Sequence, residues 1–178
     1  MRVRSEEIYT KAKKIVRRCG TRDALKIAGE LGIHVDFVGN FDRLLGMYTC
    51  RYRERHILLS SRMEDMVTQM VCAHEIGHDV LHRALAKRRD VLPEFVLFDM
   101  RTRYEYEANA FAAHICIDDA ELTELMKQGC DAVQLAAAMH TNVNLMLIKL
   151  NEMNRMGWGL KLPYLPHSDF LKEIHPEN

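Results

Sequence analysis

Residues 63–83 read MEDMVTQMVCAHEIGHDVLHR, and the reading of this stretch decides the fold. Apolar residues recur at Met63, Met66, Val67, Met70, Gly77, Leu81 and Leu85, the spacing of a core-facing helical stripe. His74 and His78 fall inside that stripe four residues apart, so both imidazoles leave one face about one turn apart. Two imidazoles so placed can hold one tetrahedral Zn²⁺ at roughly 2.0–2.1 Å each. Glu75 projects about 100° further round the helix, off the ligand pair but within reach of a water at the metal. The alternative is two core histidines satisfied by backbone carbonyls. Imidazoles on the apolar face of a helix need some such partner.

Working outward, Ser61-Arg62-Met63-Glu64 has the form of a capping box that starts this helix. Before it, Ser5–Arg18 reads as a helix with Ser5 as its cap and Cys19-Gly20 ending it, and Thr21–Leu31 as a second that ends at Gly32. Residues 33–38 alternate as a strand, and Leu45–Tyr52 with His56–Ser60 form a hairpin turning at residues 53–55. Downstream, Lys87–Asp90 and Pro93 mark a loop, and Phe95–Phe98 is a short apolar run that suits a strand, a lid or a packing plug. RYEYEANAFAAHIC, Arg103–Cys116, is a helix; Asp118 caps another that closes at Gly129. Asp131–His140 and Asn142–Met156 are the last two helices, and an extended tail follows from Trp158.

Composition limits the function classes. The 178 residues carry 25 basic and 25 acidic side chains, and this balance argues against a protein whose main work is binding nucleic acid or anionic membrane. Lys11, Lys13, Lys14, Arg17 and Arg18 therefore read as a solvated helix face. No apolar run has the length of a membrane span, and the basic start MRVR lacks the apolar region of a signal peptide. Cys19, Cys50, Cys72, Cys116 and Cys130 are scattered and odd in number, which suits reduced thiols in the cytoplasm. Cys72 could be a soft extra ligand but reads as a buried packing residue.

A catalytic zinc takes three protein ligands and leaves one position for water. The extended motif H-E-x-x-H-x-x-G-x-x-H is excluded, because Leu81 and Ala84 stand where its Gly and third His would be. His82 cannot join His74 and His78 on one straight helix, since i, i+4 and i+8 span about 12 Å of rise, so it reads as a supporting or packing residue. Glu107 is the preferred third ligand: a carboxylate on the inward face of an Ala-rich helix, where burial without a cation is costly. Glu105, about 160° away round the helix, is the fallback. A buried carboxylate held by an Arg or Tyr is the non-metal alternative.

His74–His78 followed by Leu81-His82, and the run Glu107-Ala108-Asn109-Ala110-Phe111-Ala112-Ala113, resemble the ImmA/IrrE metallopeptidases, a branch of gluzincin-type zinc proteases. Leu31-Gly32-Ile33, Gly46-Met47-Tyr48 and Ile57-Leu58-Leu59 are similar too, so the likeness covers most of residues 5–156. It implies an α+β, zincin-like fold, a small antiparallel sheet packed against a helical bundle, with the metal between the H-E-x-x-H and E-A-N helices. Residues 1–157 would form this domain and 158–178 the tail. Cys116-Ile117-Asp118 departs from the Leu-Met-Pro-like end common in that family, and no attached DNA-binding or sensor domain is read. The resemblance also implies an anti-repressor that cuts a helix-turn-helix transcriptional repressor in a mobile element or stress response.

The chemistry read from the residues is amide hydrolysis assisted by one Zn²⁺ at His74, His78 and Glu107, with Glu75 as general base. Tyr48, Tyr104, Tyr106 and His140 are the candidate donors to a developing oxyanion. Three rivals compete. A helix-turn-helix DNA binder would use Gln134–Met139 and the segment from Asn142, but VNLMLIKLNEMN offers a Met/Leu-rich helix with Lys149 as its lone basic residue before Arg155. A non-catalytic zinc module would not need Glu75. A general digestive peptidase fits a neutral cytoplasmic chain less well.

Overall fold

Helix α3, Asp65–Ala86, packs against the helix Arg103–Cys116 on one side and against the helix Ala24–Glu30 and the strands Gly46–Arg51 and Glu54–Ser60 on the other, through its buried run Met70–Asp79. The computed structural model describes residues 2–41, 44–52, 54–86 and 102–160. In chain order, α1 (Arg2–Cys19) and α2 (Ala24–Glu30) precede β1 (His34–Val38), β2 (Gly46–Arg51) and β3 (Glu54–Ser60). After α3 come α4 (Arg103–Cys116), α5 (Asp119–Lys127), α6 (Ala132–Ala138) and α7 (Val143–Arg155). The fold is α+β, as expected from the sequence. None of the described helices is long and apolar enough to cross a membrane.

The sheet order is β1-β3-β2. The hairpin β2–β3 pairs antiparallel, with Tyr48 opposite Ile57, as its two alternating runs require. β1 joins β3 in parallel, so the sheet is mixed rather than wholly antiparallel. The cause is the position of β1 beyond β3, which it reaches from α2 through Gly32, held at φ 68°. The inner face of β2 and β3 buries Tyr48, Ile57 and Leu59 against Val71 and Ile76 of α3. Each such aliphatic side chain contributes about 1.5–3 kcal/mol of burial.

Three expected helix starts move. α1 begins at Arg2, so Ser5 lies buried inside the helix rather than capping it. α2 begins at Ala24, with Asp23 accepting from Lys26 N–H as its cap, rather than at Thr21. α3 begins at Asp65, and residues 61–63 form a turn in which Arg62 N–H donates to Ser60 Oγ at 3.3 Å, in place of the capping box. Later starts follow the sequence: Asp118, Asp131 and Asn142 accept from the first N–H groups of α5, α6 and α7. Helix α7 buries Leu145, Met146, Ile148 and Lys149, so it is a core helix and not a groove-reading one. Phe95–Phe98 and the tail beyond Leu160 lie outside the described residues.

Candidate metal centre

The centre is built where α3 crosses α4. Gly77 permits the crossing: a Cβ there would stand 3.1 Å from both Cα and O of Ala108. Two small residues thus bring the backbones together and align the turn of α3 carrying His74 and His78 with the turn of α4 carrying Glu105, Ala108 and Asn109. Thr102 fixes the start of α4 by accepting from Glu105 N–H at 3.3 Å. His74 and His78 are buried, and their Nε2 atoms face each other at 3.0 Å. Glu105 Oε2 lies 3.3 Å from His74 Nε2 and 3.5 Å from His78 Nε2.

Among the described residues, His74, His78 and Glu105 are the group whose ligand atoms come close enough to hold one ion, all within 4.8 Å of one another. Glu105 Oε2 is buried and has no hydrogen-bond partner among the described residues, although two imidazole nitrogens adjoin it. A carboxylate oxygen stranded this way costs free energy unless a cation meets it. Two imidazole nitrogens and a carboxylate oxygen are the donor types that suit a divalent first-row metal, so the residues fit such an ion.

Glu107, preferred from the sequence, is placed elsewhere: it accepts from Arg103 Nε at 2.7 Å, from Arg4, and from His82 Nε2 at 3.1 Å. Burial pushes its carboxyl up, but the hydrogen bonds from Arg4, Arg103 and His82 outweigh this and hold it at about 2. The physical reason for the exchange is the wide buried face of α4. Every residue from Glu107 to Ile115 is buried, so apolar periodicity could not say which line faces α3. The informative signal is the small-residue line: Ala108, Asn109 and Ala112 stand three, four and seven places after Glu105, on its face of the helix.

The remaining candidates sort clearly. Glu75 is buried beside β2, where a Cβ on Gly46 would stand 3.0 Å from its Oε1 and 2.5 Å from Val71 Cγ1. Gly46 therefore lets the first residue of an edge strand lie directly on this carboxylate. His82 is buried between His78 and Glu107, with Nδ1 3.2 Å from His78 Nδ1; burial lowers its imidazole to about 4 against the opposing bond to Glu107. His74 Nδ1 meets Asn109 Oδ1 at 2.7 Å. Cys72 packs in the core, its thiol pushed up by burial, and is not in the ligand group.

Tyr48 donates to Asp79 at 2.6 Å, and Asp79 also accepts from Arg55 at 3.1 Å and from Arg83, a knot that ties α3 to the sheet. Tyr106 donates to Glu152 at 2.6 Å. His140 is exposed on the turn between α6 and α7. Tyr104 borders the cluster, its ring centroid 5.2 Å from that of His82.

A sequence model of the Peptidase_M78 family, described as the IrrE N-terminal-like domain, matches residues 28–151, a span that holds both α3 and α4. The chain is also 26% identical over 123 residues to "Uncharacterized immunity region protein 2" of Bacillus phage phi105, covering 67% of this chain and 76% of that one.

Proposed function

The chain belongs to the Peptidase_M78 family of IrrE N-terminal-like domains, and on that premise we propose that it is a zinc-dependent endopeptidase acting on a helix-turn-helix transcriptional repressor. In this reading His74, His78 and Glu105 hold the one ion and Glu75 is the general base. One observation carries it: buried Glu105 Oε2, without a hydrogen-bond partner among the described residues, converges with both imidazole nitrogens.

Bound zinc supplies Lewis acidity, lowering the pKa of a water from about 15.7 to about 7 and polarising the scissile carbonyl. Glu75 accepts a proton from the attacking water as its oxygen bonds to the carbonyl carbon. It returns that proton to the nitrogen as the C–N bond breaks, a role worth about 10²–10⁴-fold in rate. Gly46 supports this role by letting β2 lie on the Glu75 carboxylate. β2 pairs only with β3 among the described strands, so its other side suits an extended peptide that adds as a strand beside the base.

The repressor substrate is supported by the resemblance to anti-repressor peptidases and by the name of the phage relative, an immunity region protein. Five free cysteines suit work in the reducing cytoplasm. The test mixes the purified zinc-loaded chain with the helix-turn-helix repressor encoded nearest to it and follows intact mass. Two fragments from a single cut are expected, lost on chelation and lost in Glu75→Gln with zinc still bound. Zinc binding with no hydrolysis of any repressor or unfolded protein would instead identify a non-catalytic zinc module.

A further inference from the structure

Glu107 and His82 have no part in the chemistry above, yet both are buried and joined in series to one ligand. Arg4 and Arg103 donate to Glu107, which can therefore only accept. His82 Nε2 lies 3.1 Å from Glu107 Oε2, so it carries the proton, and His82 Nδ1 is left as an acceptor. His78 Nδ1, 3.2 Å from that acceptor, must then carry its own proton, and His78 Nε2 presents its lone pair toward His74 and Glu105. The contrast with His74 is informative. Its outer partner, Asn109, is an amide whose oxygen and nitrogen can exchange places, so it does not by itself fix the direction of the bond.

We propose that Glu107 and His82 are positioning residues for His78: a carboxylate anchored by two arginines sets, through one intervening imidazole, which nitrogen of His78 faces the metal. The proposal rests on the reading of His74, His78 and Glu105 as the ligands and deepens it. It also gives Glu107 a duty that does not require contact with the ion. Outer partners of this kind typically change metal affinity by about 10–100-fold.

The test measures zinc affinity by competition with a chromophoric chelator, the visible spectrum of the cobalt-substituted protein, and the melting temperature of the metal-free protein. His82→Phe is expected to weaken zinc binding by about 10–100-fold and alter the cobalt bands while the metal-free protein still melts cooperatively. His82→Asn places Oδ1 where Nδ1 stood and should restore most of the affinity. Glu107→Gln can donate to His82 and reverse the chain, so it should weaken binding in the parent but have no further effect in the His82→Asn background. If His82→Phe does not fold, that last pair of comparisons still decides the matter. A folded His82→Phe or Glu107→Gln within twofold of the parent, or equal effects of Glu107→Gln in both backgrounds, overturns the proposal. A parent that binds no zinc, or binds it equally well as Glu105→Gln, overturns the ligand assignment instead.

Discussion

Helix α4 carries a buried polar cluster at each end, and the two are built differently. At its C-terminal end His114 Nδ1 lies 3.0 Å from Lys149 Nζ, and Lys149 pairs with Asp119, which also accepts from Tyr9 at 2.9 Å and lies 3.0 Å from Lys13 Nζ. The Arg22 guanidinium closes that end of α4, donating to the carbonyls of His114 and Ile115 and to Asp118. Here the chain brings its own cation. Within this cluster, His114 Nε2 lacks a hydrogen-bond partner among the described residues, and burial holds that imidazole well below its ordinary value. At the N-terminal end the acid that no arginine reaches among the described residues is Glu105, and it lies beside imidazole nitrogens. Similar residue types make a lock in one place and a candidate cation site in the other, and the difference is whether Lys or Arg occupies the middle.

The largest test of that difference swaps the deletions. Glu105→Gln should lower zinc affinity by more than the roughly 10–100-fold expected for an outer partner, with little change in the stability of the metal-free protein. Lys149→Met should do the reverse. Asp119 keeps Lys13 and Tyr9 but loses its charge-assisted bond from Lys149, which costs about 1.5–3 kcal/mol in urea unfolding, and zinc affinity of the folded protein should hold. A Lys149→Met protein with normal stability, or with lost zinc, would dissolve the distinction.

A smaller effect sharpens it within the metal end. Gly46→Ala sets a methyl 2.5 Å from Val71 Cγ1 and 3.0 Å from Glu75 Oε1, so peptide turnover should fall while zinc stays bound. Gly77→Ala meets backbone at 3.1 Å and should cost about 1–3 kcal/mol of overpacking and weaken zinc as well, because it separates α3 from α4. Equal zinc loss in both variants would show that Gly46 serves packing rather than the base.

The smallest effect is a pH dependence at the lock. Burial raises the Asp119 carboxyl, but the charge of Lys149 and the bonds from Lys149, Lys13 and Tyr9 outweigh it and hold the group well below its ordinary 3.8. A depressed folded value means stability that is full above about 4 and drains away as pH falls below it. Asp119→Asn should flatten that part of the stability profile relative to the parent, read as the difference between the two urea midpoints from pH 5 to pH 3.

The helix with His74-Glu75 and His78 was legible because 3.6-residue periodicity and ligand spacing agree there. The starts of α5, α6 and α7 were legible because Asp118, Asp131 and Asn142 are strong caps. The choice of Glu105 was not, since α4 is buried on nearly all sides and its apolar pattern names no single face. The parallel pairing of β1 was equally hidden: the order of strands in a sheet depends on contacts that no local run of residues encodes. Lys149 is the lone basic residue of a Met/Leu-rich run, and nothing local names its partner: Asp119 lies 30 positions earlier on another helix.

The near-touch of Gly77 and Ala108 has a consequence for how the protein would be handled. Ligands on two helices whose ends are separated by a long connection make a captured ion a staple across the fold, and each tenfold rise in free zinc above its dissociation constant adds about 1.4 kcal/mol against unfolding. Melting temperature then becomes a gauge of loading: stripped and replete samples of one preparation should part on a thermal ramp, and resistance to trypsin should follow the same order.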